Sequence, residues 1–308
     1  MRGRTSKLKR YEPWIAAVAF LVAAALVYRA LREYSVDEIL RAIDAISARH
    51  IGFAVLFTIG SFLSLSGFDT LAVRYAGRSL PYRKIALVSF TALSIGHVLG
   101  LAALSSGAVR YRFYTRWGLS GGDVGRIVVF CGVTVAVGIM TSAGVAGLAR
   151  SRLVAELFHV PRALVVAIAA ALLAAVAAYL TLAARRQKAV RIRRFELPVP
   201  SLELAAGQVL LGTADFFMVS AVLHQMLSAS ADVEYLPIAA AYITANAAGI
   251  AAHVPGGLGV IEAVVLSLVP GAEVVGALVA FRAVYYLVPF ALGAAAFGAA
   301  ELLHRRRR

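Results

Sequence analysis

Asp69, Asp215, Glu262 and Arg282 stand inside long apolar stretches of this chain, and Arg110 and Arg112 abut another. Charged side chains in such surroundings are costly to keep and face a cavity or a partner. Arginines in Ser105-Ser106-Gly107-Ala108-Val109-Arg110-Tyr111-Arg112 follow a Ser-Ser-Gly turn. Such a turn offers hydroxyls and free N–H groups, and the guanidinium forks fit phosphate. The carboxylates suit a cation, and Tyr285 lies within a turn of Arg282. Tyr111 and Tyr114 suit the level of lipid headgroups. Two blander readings stand beside this one. Glu262 and Arg282 can be an internal ion pair that holds a segment in place, and Arg110 and Arg112 can be an ordinary basic loop.

A second feature concerns the backbone. His253-Val254-Pro255-Gly256-Gly257-Leu258-Gly259-Val260-Ile261-Glu262 interrupts an apolar run with Pro255, Gly256, Gly257 and Gly259 and ends on a carboxylate. In lipid each free backbone N–H or C=O costs several kcal/mol, so an unwound stretch needs shelter from protein or a water-filled cavity. Transporters place substrate sites at breaks of this kind.

The elements that must position these residues are membrane spans. Of 308 residues, 61% are hydrophobic and 15% charged, and the mean hydropathy is +0.81. That composition belongs to an all-α polytopic membrane protein. Spanning runs are expected at Trp14–Leu31, Ile51–Val73, Ile127–Leu148, Ala163–Ala183, Leu202–Met226 and Val275–Leu303. Trp14–Leu31 is too long for a signal peptide and reads as an uncleaved first span. The net charge of +15 lies in short clusters beside the spans, which is the positive-inside pattern and not a nucleic-acid surface.

Charge parity then organises the remaining runs. If Ile85–Leu104 crossed fully, the basic loops at Arg110–Arg126 and Arg185–Arg194 would fall outside. A hairpin dipping in from the cytoplasm keeps all five basic clusters inside. The same logic makes Leu236–Val269 a hairpin entering from the outer side. The expectation is six full spans plus two re-entrant hairpins, with eight transmembrane segments as the alternative, and both termini in the cytoplasm. One integral membrane domain, residues 1–308, thus divides into an inverted repeat of residues 11–150 and 151–304. Gly100–Gly107 and Gly249–Gly256 form a weak echo between the halves. Ser35-Val36-Asp37-Glu38 opens a short interfacial helix with a capping box.

Several chemistries are excluded. The one cysteine, Cys131, gives no disulfide framework. There is no Walker A motif, no H-E-x-x-H, no metal-ligand spacing and no Gly-x-Ser-Gly nucleophile motif. No cofactor and no catalytic residue are expected. His97 and His253 read as hydrogen-bonded packing residues.

The stretch Leu104–Tyr114, continued through Arg116-Trp117-Gly118-Leu119-Ser120, resembles the membrane region of the lysylphosphatidylglycerol synthase/flippase, or multiple peptide resistance factor, family. So do Gly67-Phe68-Asp69, Val254–Glu262 and Arg282-Ala283-Val284-Tyr285-Tyr286-Leu287-Val288-Pro289. The resemblance covers about residues 10–303. It implies movement of aminoacylated phosphatidylglycerol between leaflets of a bacterial cytoplasmic membrane. Aminoacyl transfer is performed in that family by a separate cytoplasmic domain, so no enzymatic activity is expected of a chain ending at Arg308. Some stand-alone relatives carry Pro-x-Gly-acid in the first motif. Ser105-Ser106-Gly107-Ala108 lacks the proline and the acid, which favours the synthase-linked branch.

The substrate-binding set expected is Asp69, Ser105, Ser106, Gly107, Arg110, Arg112, Asp215, Pro255, Gly256, Gly257, Gly259, Glu262, Arg282 and Tyr285. Its ligand would be an anionic phospholipid, with Arg110 and Arg112 on the phosphate and the carboxylates on an amine. Alternatives are a transporter of another small anionic or polar solute, and a scaffold handing lipid to an enzyme. Protein partners compatible with these readings are a second copy of the chain or a lipid-modifying enzyme.

Overall fold

The computed structural model describes residues 41, 43–99, 102–185, 190–192, 195–197, 199–251 and 257–306. The expected first span Trp14–Leu31, most of the interfacial helix, and His253, Pro255 and Gly256 lie outside these residues. Five described helices are long and apolar enough to cross a membrane. They are α1 (Ala48–Tyr75), α4 (Gly121–Ala149), α6 (Arg162–Ala184), α7 (Leu202–Leu227) and a composite last span, Glu273–Leu303. They coincide with the five apolar runs expected after the first. A three-residue-per-strand antiparallel ribbon, β1 (Val190–Ile192) with β2 (Phe195–Leu197), joins α6 to α7.

The two interrupted runs each fold as two helices packed on one another. The first gives α2 (Tyr82–Leu99) and α3 (Ala102–Arg116). Lys84, at the start of α2, lies 5.0 Å over the ring of Trp117, just past the end of α3. Entry and exit of this hairpin are therefore side by side. The second gives α8 (Tyr235–Ala251) and α9 (Val260–Leu268). At 1.5 Å per residue, the 9 residues of α9 rise roughly 13 Å, less than half of a hydrocarbon core. A short amphipathic helix, α5 (Ser151–Phe158), links α4 to α6.

One expectation fails here. Ser105-Ser106-Gly107 is not a turn; all three lie inside α3, which is already helical from Ala102. Ala102-Ala103-Leu104 are strong helix formers, so the helix is already under way when the serines arrive. The local cost of serine and glycine, up to about 1 kcal/mol each, is outweighed by packing. Ser106, Val109 and Arg110 are buried, and Gly107 faces Val128 of α4.

Salt bridges mark the two ends of the bundle. Arg78, after α1, meets Asp123 in the first turn of α4 at 2.9 Å, where Ser120 and Asp123 form a capping box. Arg112 and Arg116 of α3 both hold Glu301 near the end of the chain. At the opposite end Arg150, closing α4, faces Glu234 before α8 at 3.5 Å. The basic clusters around Arg78, Lys84, Arg112 and Arg116 thus gather at one end.

The last span is itself irregular. It runs as α10 (Ala272–Arg282), a π-turn (Ala283–Leu287) and α11 (Val288–Arg306). Pro289 explains the π-turn. It has no N–H for the carbonyl four residues back, Tyr285, and its ring crowds that carbonyl, so the helix widens locally.

The centre of the bundle is built on α1, α4 and α7. Gly138 of α4 and Gly212 of α7 bring two backbones into contact: a Cβ on Gly138 would lie 2.6 Å from the Gly212 carbonyl carbon. A Cβ on Gly212 would lie 2.8 Å from both the Gly138 Cα and the Thr134 carbonyl oxygen. Gln208, one turn from Gly212, donates to the Phe130 carbonyl at 3.2 Å and to Thr134 Oγ1 at 3.0 Å. These polar contacts between helices replace a hydrophobic drive that lipid does not supply.

Gly212→Leu is therefore expected to force α4 and α7 apart, at a cost of about 1–3 kcal/mol or more. Thermal melting of the detergent-purified protein checks this. Gly132→Ala, whose added Cβ meets nothing within 4 Å, is the matched control and should lose nothing.

Candidate functional site

Asp69 and Arg110, expected on opposite charges of a ligand, face one another. Arg110 Nε lies 2.8 Å from Asp69 Oδ1 and Nη2 lies 2.7 Å from Oδ2, a bidentate fork. Tyr114 donates its hydroxyl to Oδ1 at 3.0 Å. Side-chain exposures of 2% and 0% put this pair out of contact with any solvent. The geometry follows from α3: Arg110 and Tyr114 are four residues apart on one face, turned toward α1. Tyr114 is thus a buried partner and not a headgroup-level residue, whereas Tyr111 is 54% exposed. Arg112 points elsewhere, to Glu301 at the surface. Ser105 is half-buried and Ser106 buried on α3.

Glu262 and Arg282 form a second pair, linking α9 to α10. Arg282 Nε and Nη2 lie 2.8 and 2.7 Å from Glu262 Oε1. The other carboxylate oxygen accepts the Gly259 N–H at 2.8 Å. Glu262 therefore caps α9 while it neutralises the arginine. Gly257 and Gly259, at φ +63° and +79°, are the left-handed residues that turn the chain into α9. The Arg282 guanidinium also lies 4.8 Å over the Tyr286 ring.

Asp215 sits in a third cluster. Ser61 of α1 donates to Asp215 Oδ1 at 2.5 Å and shares a 3.0 Å hydrogen bond with the Tyr285 hydroxyl. The π-turn presents Tyr285 and Tyr286 together; Tyr286 is hydrogen-bonded to Tyr242 of α8, and Asn246 donates to Tyr242 at 3.1 Å. His97 of α2 stacks on Tyr285 at 6.0 Å. Its ring packs as expected against Phe62, Tyr285 and Tyr286, and its Nδ1 has no hydrogen-bond partner among the described residues. Ser61 and Asp69 are eight residues apart on α1, so the first and third clusters lie roughly 12 Å apart along its axis.

The opposite face of α1 opens sideways. Between α1, α2 and the last span runs a groove of about 450 Å³, lined by Val55, Ile59, Phe62, Phe90, Val288 and Leu292 among others. It is almost wholly apolar. Its polar points are the bonded hydroxyls of Ser66 and Tyr82, 2.8 Å apart, and Thr58. Thr58 Oγ1 is buried and has no partner among the described residues. A threonine inside a helix ordinarily bonds the carbonyl a turn back, so this hydroxyl is a buried orphan behind the groove wall. Phe62 belongs to both regions, lining the groove and packing 6.1 Å from Tyr285.

The structure therefore groups Asp69 with Arg110, Gly257 and Gly259 with Glu262 and Arg282, and Asp215 with Tyr285. Arg112 lies outside these groups, Ser105, Ser106 and Gly107 are helical positions of α3, and Pro255 and Gly256 lie outside the described residues. Ser61, Tyr242 and Thr58 were not foreseen, and Tyr114 was expected at headgroup level and not on Asp69. A single hydroxyl in an apolar helix has no periodic or motif signal, and the partner that gives Ser61 its role, Asp215, is 154 positions away.

Residues 14–293 match the family described as the lysylphosphatidylglycerol synthase TM region. An uncharacterized protein of Synechocystis sp. (strain ATCC 27184 / PCC 6803 / Kazusa), slr0712, is 31% identical over 308 residues, covering 98% of this chain and 96% of its own. The inner membrane protein YbhN of Escherichia coli (strain K12) is 27% identical over 290 residues, covering 92% and 89%.

Removing one partner of the Asp69–Arg110 pair leaves a buried charge alone, which costs about 3–5 kcal/mol. Asp69→Asn and Arg110→Gln should each lower the melting temperature strongly. The double variant should lose clearly less than the sum of the two. Strict additivity would mean that the pair is not coupled.

Proposed function

From the premise that this chain belongs to the lysylphosphatidylglycerol synthase TM region family, we propose that it moves a phospholipid between leaflets. The single observation that carries this reading is a sideways-open apolar groove on one face of α1, whose other face carries a buried ion pair. A ligand that fits both is apolar at one end and charged at the other. The groove accepts an acyl chain.

The paired ions give the headgroup a route through a low-dielectric interior. A lone phosphate or ammonium there costs several kcal/mol. A headgroup with both signs inserts between Glu262 and Arg282, its phosphate taking the guanidinium and its amine taking the carboxylate. Each protein charge exchanges one partner for another and none is left bare. The left-handed Gly257 and Gly259 beside Glu262 give the backbone freedom for that exchange. Asp69–Arg110–Tyr114 offers an equivalent station on α1.

In this reading α2–α3 and α8–α9 are re-entrant hairpins of an inverted repeat, and both termini face the cytoplasm. The separation of basic residues at one end of the bundle supports that orientation. The membrane is the bacterial cytoplasmic membrane, in keeping with an inner-membrane relative.

The test is a leaflet assay in proteoliposomes. Trace fluorescent phosphatidylglycerol, or its lysyl derivative, is incorporated and its accessibility to dithionite followed. Redistribution faster than in empty vesicles is expected. Glu262→Gln should slow it on the order of tenfold or more, since it strands Arg282. Ala86→Trp, which fills the groove without touching an ion pair, should slow it while leaving the melting temperature unchanged. Well-folded protein that redistributes neither lipid would overturn the reading.

A further inference from the structure

Of the three buried carboxylates, Asp69, Asp123 and Asp215, two are compensated. Asp69 holds Arg110 and Asp123 holds Arg78, each at hydrogen-bond distance, and the half-buried Glu262 likewise holds Arg282. Asp215 is as enclosed, at 8% exposure, yet no cation faces it among the described residues. Its surroundings can be named element by element. From α1 comes the Ser61 hydroxyl at 2.5 Å. From the π-turn come Tyr285, reached through Ser61, and Tyr286. From α8 comes Tyr242, and from α2 His97 stacks behind Tyr285. Arg282 lies beyond the Tyr286 ring and is held by Glu262. The groups that face Asp215 are hydroxyls, which can donate to a carboxylate or accept from a carboxylic acid.

We propose that Asp215 is a reversible proton-binding site and that its loading gates transport. The chemistry is a single protonation: a proton from the aqueous phase adds to the carboxylate, giving a neutral carboxylic acid, and returns to water on release. No bond of the lipid changes. In the neutral state the site has no uncompensated charge, and the Ser61–Tyr285 contact persists with Ser61 accepting. In the charged state the carboxylate must draw donors toward it. Ser61 and Tyr285 are the ones within reach.

That demand falls on the most adaptable part of the last span. Tyr285 lies in the π-turn set up by Pro289, where the helix has already given up its regular hydrogen bonding. A shift there moves Tyr286, and with it the face on which Arg282 rests. Protonation at Asp215 is thereby tied to the opening of the Glu262–Arg282 pair. The inference rests on the transport reading, and it adds the driving ion.

The experiment has two arms that fail separately. In the first, the full chain is reconstituted with fluorescent phosphatidylglycerol and, separately, its lysyl derivative, under pH gradients of either polarity. The native rate should change several-fold with polarity for both lipids, Asp215→Asn should abolish that response, and Asp215→Glu should restore part of it. A response that survives in Asp215→Asn would overturn the proposal. So would an Asn variant impaired only with the lysyl lipid, since Asp215 would then be a ligand for the amine. If no vesicle shows redistribution, the transport reading falls, and the second arm still decides the site. There, infrared difference spectra of the protein in lipid nanodiscs are taken as the pH is stepped. A protonated-carboxyl band should appear in the native chain and be missing in Asp215→Asn. A spectrum with no such difference would overturn the proposal.

Discussion

Everything in this molecule answers to the cost of charge in a medium without water. A buried ion must meet its opposite or be neutralised, and the fold is arranged to meet that demand. Asp69 on α1 and Arg110 on α3 neutralise each other across two elements. Tyr114 takes up remaining capacity on the carboxylate. The pair can form only if α3 returns along α1, so the electrostatic requirement and the hairpin impose one another. Glu262 and Arg282 do the same for α9 and α10. Each short helix is held to a long one by an ion pair that cannot be half made.

Such an arrangement is firm and still exchangeable. An apolar seam would bind the hairpins as well, but offers a polar ligand nothing. An ion pair can be entered by any group that presents both signs, with little change in the total of uncompensated charge. On the proposed function, the sideways groove supplies the complementary apolar half of the same recognition. Its wall and the polar interior share α1, whose two faces differ by a residue's turn: Val55, Ile59, Phe62 and Leu63 look outward, while Ser61, Leu65, Phe68 and Asp69 are buried.

Much of the scaffold was legible in the residues. Spans are runs of the length a bilayer requires, and the five that fall on described residues begin and end within a few residues of the runs. The Gly-Gly-Leu-Gly break was legible because glycine is the residue that tolerates positive φ, and Gly257 and Gly259 adopt it. The Glu262–Arg282 contact was one of two readings open from the start, because both residues are ionic at membrane depth. Ser105–Gly107 misled because turn preference is local, whereas the continuation of α3 was decided by what Ser106, Val109 and Arg110 pack against. The partner of Arg110 was out of reach. Asp69 is 41 positions away, and no spacing rule connects an acid at the end of one helix to a base in the middle of another.

Gly138 and Gly212 have a mechanical meaning. Where two helices touch backbone to backbone there is no side chain to re-pack, so neither can slide or roll against the other without breaking van der Waals contact over a turn. Gln208 locks the same crossing with two further hydrogen bonds. Displacing α4 against α7 would therefore break contacts that no rotamer change can restore, unlike a crossing packed through side chains.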